Sequence, residues 1–417
     1  MDKFIVHGPT PLHGTIPVNG AKNAVLPLMA AALLARGTSV IENVPDLRDV
    51  ETMVKMLDLL GARTVRSGSN MTIDTREADG LEAPYDLVRT MRASIYVLAP
   101  TLALHGRARV SMPGGCAWGP RPIDLHLMAM EKLGARIALE HGYIEASCDR
   151  LRGAEVVFPI SSVGATAQTV MAATLAEGTT VLENAALEPE ITDLVHALQE
   201  SGVEIEGAGT ARLVVHGTTS VQPLKHRVIP DRIEAETFMG AAAITGGDVV
   251  VTECDPGHMH AVIAVLEATG TTVEVGTDRV RVKGPARLKA TDVVTREYPG
   301  FPTDMQAQII ALLCRADGVS TVKETIYPDR FTHVPELRRF GADVRLDGNL
   351  AVIRGNKSLQ GAPVMATDIR ASSGLILAAM SAQGRTEILR VYHIDRGYQR
   401  IEERLNALGA RIERVAQ

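Results

Sequence analysis

One proline- and glycine-dense stretch, Pro113-Gly114-Gly115-Cys116-Ala117-Trp118-Gly119-Pro120-Arg121-Pro122-Ile123-Asp124-Leu125-His126, holds a thiol, an arginine and the chain's single tryptophan. Such a segment reads as a mobile loop. A cysteine there is exposed rather than packed, and Arg121 nearby could lower its pKa and raise its reactivity. A free surface thiol fits the same residues, because most unpaired cysteines serve as small apolar groups. A second group, Asn19-Gly20-Ala21-Lys22-Asn23, opens a helix, where free N–H groups and the Lys22 charge could hold an anion. It equally fits a solvated cap with a surface lysine.

In Tyr298-Pro299-Gly300-Phe301-Pro302-Thr303-Asp304-Met305-Gln306, Asp304 enters a helix behind two prolines. That suits a catalytic carboxylate, and it also suits a plain N-cap. Arg92, Arg121, Arg232, Arg330, Arg370 and Arg396 stand in connections, several beside Gly, Asp or Ser, as in Asp368-Ile369-Arg370 and His393-Ile394-Asp395-Arg396-Gly397. Singly each is an ordinary surface arginine; together they outline a pocket for carboxylate or phosphate. No His-x-x-x-His, phosphate-loop or dinucleotide fingerprint stands where its context requires it. Asp255-Pro256-Gly257-His258-Met259-His260 reads as a solvated turn rather than a metal site, so no metal and no cofactor are expected.

The elements that must position these groups repeat along the chain. A glycine, a β-branched run, a helical stretch and a second glycine recur six times, the second glycines at 61, 134, 202, 270, 341 and 409. The unit is therefore about 70 residues long. Within it, Thr179–Glu183 alternates as a half-buried strand, and Ile191, Leu194, Val195 and Leu198 fall at helical spacing. A second helix before each strand, such as 165–176 or 374–380, is apolar almost all round and belongs inside a domain. The class is α/β, with three units in each of two halves and a boundary near Val228-Ile229-Pro230-Asp231. The strand Phe4-Ile5-Val6 could join either half.

Composition agrees with an ordinary folded chain: 417 residues, 46% apolar and 22% charged. With 43 Lys and Arg against 49 Asp and Glu, and only 14 aromatic residues (Phe 6, Tyr 7, Trp 1), a dedicated nucleic-acid binder is disfavoured. Four scattered cysteines suit neither a disulfide framework nor a zinc knuckle. The longest uncharged apolar run, Ala24 to Ala35, contains Pro27 and falls short of the roughly 20 residues of a membrane span. A cytoplasmic protein with no membrane span is expected.

Taken together these residues resemble the enolpyruvyl transferases, over essentially the whole chain from Gly14-Thr15-Ile16 to Leu408-Gly409-Ala410. The matching motifs are Asn19 to Asn23, the Cys116 loop with Arg121-Pro122-Ile123-Asp124-Leu125-His126, Ser162-Val163-Gly164-Ala165-Thr166, Asp231-Arg232-Ile233-Glu234, Pro299 to Asp304, and His393 to Tyr398. The Cys116 loop sets the chain with the branch acting on UDP-N-acetylglucosamine, apart from the branch that makes 5-enolpyruvylshikimate 3-phosphate. The resemblance implies two inside-out α/β barrels, each of three βαβαββ repeats: 22–229, and 1–21 with 230–417, with the active site in the cleft between them. It implies transfer of the enolpyruvyl group of phosphoenolpyruvate to the 3′-hydroxyl of UDP-N-acetylglucosamine with release of phosphate. That is the first committed step of peptidoglycan precursor synthesis, with its bearing on cell shape and division. A shikimate-type transferase and a non-catalytic nucleotide-sugar binder are the alternatives.

By the same resemblance Cys116 is the acid or assists phosphate departure, forms a pyruvate adduct and is the residue fosfomycin alkylates. Asp304 is the base on the sugar hydroxyl. Lys22, Arg121 and Arg396 hold phosphate and carboxylate, with Arg330 and Asp368 nearby and Arg232, Ile326 and Arg370 among the substrate contacts. Asn23 and Asp304 contact the sugar. Arg92, the run Arg121, Pro122, Ile123, Asp124 and Leu125, and Ser162, Val163 and Gly164 cradle the UDP part. Two departures stand out: Pro328-Asp329-Arg330-Phe331 lacks the acidic residue usual at 328, and Ile160-Ser161 replaces a Lys or a Phe-Pro pair. The first bears on an ion pair supporting Arg330, the second on a diphosphate contact.

Overall fold

The fold is seen in a computed structural model that describes residues 2–112, 123–355 and 358–416. Every repeat is a βαβαββ unit whose four strands form their own sheet, six four-stranded sheets in all among the described residues. In the third repeat, Glu155–Val157 runs parallel to Thr179–Glu183, which pairs antiparallel with Arg212–His216, which pairs antiparallel with Glu204–Glu206. The other five sheets repeat this order. Among the described residues no strand of one repeat's sheet pairs into another's, so each expected inside-out barrel is a set of separate sheets around buried helices rather than one closed sheet.

The helices lie inside because they have no polar face to present to water. Val163–Thr174 is buried from Ala165 to Thr174, Arg232–Thr245 from its first residue to Ile244, and Ile369–Ser381 from Arg370 onward. The strands bury one face, as the alternation along Thr38–Glu42 and Val319–Lys323 shows. The amphipathic helix Pro189–Glu200 turns Ile191, Leu194, Val195 and Leu198 to the core as its spacing predicts. The six glycines that end the second helices all have φ between +83° and +100°, a region other residues enter only with strain. That backbone requirement is why the repeat shows in the sequence as a glycine.

By internal contacts the described residues divide into two units, one made of those between 20 and 229 and one joining those up to 19 with those from 230 onward. Each has its own apolar core. Strands from distant parts of the chain complete three of the sheets. Asp2–Gly8 lies between Gly384–Leu389 and Ile412–Ala416, and so completes the sixth repeat. His13–Pro17 runs parallel to Asp248–Thr252 and starts the fourth, while Lys225–Arg227 runs parallel to Thr38–Glu42 and starts the first. Among the described residues no helix is long and apolar enough to cross a membrane.

The closing strand Lys225–Arg227 is pinned by His226, whose Nε2 lies 2.8 Å from Asp193 Oδ1 and whose Nδ1 lies 2.8 Å from Glu200 Oε2. Both carboxylates belong to Pro189–Glu200 of the third repeat. Burial alone would lower the imidazole's pKa, but the hydrogen bonds to Asp193 and Glu200 outweigh it and raise the value from 6.5 to about 9. A raised histidine stabilises fully below its unfolded value and loses that contribution as pH climbs through its folded one. Stability should therefore fall by about 2 kcal/mol between pH 6.5 and 9 relative to a His226→Gln variant. Denaturant midpoints of both proteins across that range check this; parallel curves would refute the clamp.

Candidate active site

Asp304 lies on the one-turn helix Thr303–Met305 that leads into Gln306–Leu313, and it caps neither. Its carboxylate is held by two arginines: Arg330 Nη1 is 2.9 Å from Oδ1 and Arg370 Nη2 is 3.0 Å from Oδ2. The guanidiniums are almost fully buried, with side chains 6% and 5% exposed. Burial on its own would raise the carboxyl's pKa, but the charges of Arg370 and Arg330 outweigh it and hold Asp304 far below the usual carboxylate range. Burial likewise works against the Arg370 charge, and Asp304 more than offsets it.

Each arginine has a further anchor. Arg330 Nη1 donates to Thr303 Oγ1 at 3.0 Å, and its carbonyl accepts from Gln306 at 3.0 Å. Arg370 Nη1 donates to the Tyr398 hydroxyl at 3.1 Å. Thr237 spends its one hydroxyl proton on the Ile233 carbonyl, so the contact of 2.8 Å between Tyr398 and Thr237 must have Tyr398 as donor. The chain Arg370 to Tyr398 to Thr237 to Ile233 thus runs in one direction. Pro328 is exposed, and Arg330 is held without an acidic side chain there.

Asp368 is the helix cap that Asp304 is not. Its Oδ1 accepts from the N–H groups of Arg370 and Ala371, which fixes the first turn of Ile369–Ser381 and with it Arg370. Its Oδ2 accepts from Thr332 and Thr367. Asp231 does the same for Arg232, which is also buried. Arg232 and Arg370 therefore stand in helix first turns rather than in loops. Burial pushes His333 down to about 4; the Asp368 charge opposes that and Arg330 adds to it. Arg396, at the end of Val391–Arg396, is half-buried and close enough to His393 to help lower it after burial. Ile326 is half-buried in the loop before Arg330.

In the other unit Lys22 begins Lys22–Ala31, beside half-buried Asn23, and its Nζ lies 2.9 Å from Asp49 Oδ2. Asp49 is buried in the first turn of Arg48–Leu59, a partner the sequence reading missed because it lies outside every motif. Arg92 opens Arg92–Val97 near His126, which burial and then the Arg92 charge bring down to about 4, with Asp124 opposing. The His126 ring lies against Gly164: a Cβ there would stand 2.8 Å from Cε1 and 2.9 Å from Nε2. Ser162 caps Val163–Thr174 through Ala165 N–H, leaving Ser162, Val163 and Gly164 half-buried at the helix start. Ile123 and Leu125 are half-buried and Asp124 exposed around the start of Asp124–Lys132. Cys116, Arg121 and Pro122 lie outside the described residues.

Two other features stand apart from these groups. Glu204 and Glu206, exposed on the edge strand of the third sheet, and half-buried His216 on the neighbouring strand bring ligand atoms within 4.8 Å of one another. A hollow of about 740 Å³, lined by Arg36, Leu102, Arg107, Cys148 and Thr218 among others, contains none of the predicted site residues.

Residues 6–405 match the family described as EPSP synthase (3-phosphoshikimate 1-carboxyvinyltransferase). The chain belongs to this family. Within the family it is similar to a Geobacter metallireducens protein named UDP-N-acetylglucosamine 1-carboxyvinyltransferase, at 53% identity over 417 residues and 100% of both chains. The Chlorobium luteolum protein of the same name is 52% identical over 417 residues, covering 99% of this chain and 98% of that one. Among solved structures, the enolpyruvyl transferase NikO from Streptomyces tendae superposes with a TM-score of 0.88 at 26% identity, over 100% of this chain and 99% of that one. An EPSP synthase from Acinetobacter baumannii shares the fold, with a TM-score of 0.75 at 20% identity over 100% of both. The mixed α/β architecture of six repeats is that of this family.

Removing the Asp304 carboxylate leaves two buried guanidiniums without their counter-charge. Asp304→Ala should therefore destabilise its unit by about 3–5 kcal/mol, and Asp304→Asn, which keeps one acceptor oxygen, by less. Tyr398→Phe, which breaks the chain from Arg370 to Thr237, should cost about 1 kcal/mol. Urea midpoints of the three variants test the order; an Asp304→Ala protein as stable as the parent would contradict the clamp.

Proposed function

We propose that the chain transfers the enolpyruvyl group of phosphoenolpyruvate to the 3′-hydroxyl of UDP-N-acetylglucosamine, releasing phosphate. The observation that carries this is the 53% identity, without length difference, to a relative bearing that activity's name. In the first half-reaction the hydroxyl oxygen bonds to C2, its proton leaves to a base, and C3 takes a proton to become a methyl group. In the second, C3 loses a proton, the double bond returns, and the C2–O bond to phosphate breaks. An acid, a base and strong anion binding are required.

Asp304 is the proposed base, and its surroundings support a condition on that role. With both oxygens on guanidiniums it is a weak base. The phosphate and carboxylate of phosphoenolpyruvate are rival acceptors for Arg330 and Arg370, and a guanidinium transferred to the substrate restores basicity to Asp304. Lys22, Arg121 and Arg396 are assigned to the same anionic groups. Asp368 serves through Arg370, whose helix turn it caps. Asn23 is assigned to the sugar; Arg232 and Ile326 are assigned as further substrate contacts. Arg92, Ile123, Asp124, Leu125, Ser162, Val163 and Gly164, with Arg121 and Pro122, are assigned to the UDP part. The contact of His126 with Gly164 supports grouping Arg92 with the helix start at Ser162.

Cys116 is assigned to acid catalysis or phosphate departure, and with it the pyruvate adduct and alkylation by fosfomycin. A place in peptidoglycan precursor synthesis in the cytoplasm follows from the same reading. The purified protein should release phosphate from phosphoenolpyruvate only when UDP-N-acetylglucosamine is added, and fosfomycin should stop it. Release with shikimate 3-phosphate in its place, or none with the nucleotide sugar, would overturn the assignment. Cys116→Asp should keep turnover and lose fosfomycin sensitivity.

A further inference from the structure

Glu324 follows Val319–Lys323 and its side chain is completely buried. Four donors converge on it. Oε1 accepts from Thr295 Oγ1 at 2.8 Å, from Ile326 N–H at 2.8 Å and from Tyr327 N–H at 3.0 Å; Oε2 accepts from Thr303 Oγ1 at 2.8 Å. A buried carboxyl group so surrounded is offset by its hydrogen bonds and locks whatever supplies them. Thr295 is itself cross-tied to Thr325 by two further bonds, and Asn349 donates to the Glu324 carbonyl at 2.8 Å. The other carboxylate of this loop, Asp329, is exposed.

The consequence reaches Asp304 through one atom. Thr303 has a single hydroxyl proton and gives it to Glu324, so the lone pairs of Oγ1 remain to receive Arg330 Nη1 at 3.0 Å. The same nitrogen lies 2.9 Å from Asp304 Oδ1. We infer that Glu324 is a positioning residue for the reaction, orienting the Thr303 hydroxyl so that Arg330 is held on Asp304 and the Ile326 backbone is fixed beside it. The inference rests on the role proposed above for Arg330 and Asp304. An amide at 324 cannot do this: whichever way it turns, its NH₂ group meets a donor. Facing Thr303, it makes the hydroxyl accept and turns the hydroxyl proton toward Arg330.

Glu324→Gln and Thr303→Val should each lower kcat/KM for phosphate release about tenfold. Thr303→Ser, which keeps the hydroxyl, should stay near the parent. The double variant Glu324→Gln/Thr303→Val should be no slower than either single one, because both break the same link. Multiplied losses, or a fully active Thr303→Val, would overturn the inference. Exchange of the Arg330 guanidinium protons, followed by NMR, needs no turnover: it should quicken in Glu324→Gln and Thr303→Val and not in Thr303→Ser. If Glu324→Gln does not fold, the two Thr303 variants decide by the same readouts. A parent without phosphate release but with this exchange pattern would count against the function and not against the positioning.

Discussion

Two guanidiniums buried around one carboxylate are a costly thing for a fold to hold, and much of the surrounding unit is arranged to hold them. Arg370 needs Asp368 to cap its helix and Tyr398 to take its second nitrogen; Arg330 needs Thr303. Each partner is tied to something further in, through Thr237 to the backbone of Arg232–Thr245 or through Glu324 to strand ends. A pair of buried opposite charges seldom stabilises a protein relative to apolar packing. Its retention here is best understood through what an anionic ligand does to it. Under the proposed function, such a ligand takes the arginines and leaves the carboxylate its basicity.

The repeat supplies the places where these groups can stand. Lys22, Arg232 and Arg370 all occupy the first turn of the buried helix that precedes the second strand of its repeat, and Ser162 caps another. A helix start favours negative charge, and at two of these four an aspartate of the chain itself, Asp231 or Asp368, takes that place. The aliphatic helices can be buried on every side because sheets cover them, which also accounts for a core with so few aromatic rings.

Much of this was legible in the residues alone. The six glycines mark a left-handed turn that only glycine takes easily, and Ile191, Leu194, Val195 and Leu198 face the core as their spacing requires. The closing strands were not legible, since nothing local in Lys225–Arg227 or His13–Pro17 states which distant strand it will join. Asp304 could be read as a cap or as a carboxylate with a task, and only the approach of Arg330 from further along the same repeat and of Arg370 from the next one separates the two. Glu324 and Asp49 went unseen because a buried polar residue announces itself through its partners, which are remote in sequence.

The claim at the centre of this account is that Asp304 is held by Arg330 and Arg370 until an anion takes them. Carbon-13 NMR of the Asp304 carboxyl, assigned with the Asp304→Asn protein, tests it directly. With the protein alone, the signal should show no titration from pH 8 down to pH 4. With UDP-N-acetylglucosamine and inorganic phosphate present together, its titration should move up in pH. A carboxyl that titrates in the ordinary range in the protein alone, or one that the two ligands leave unmoved, would contradict it.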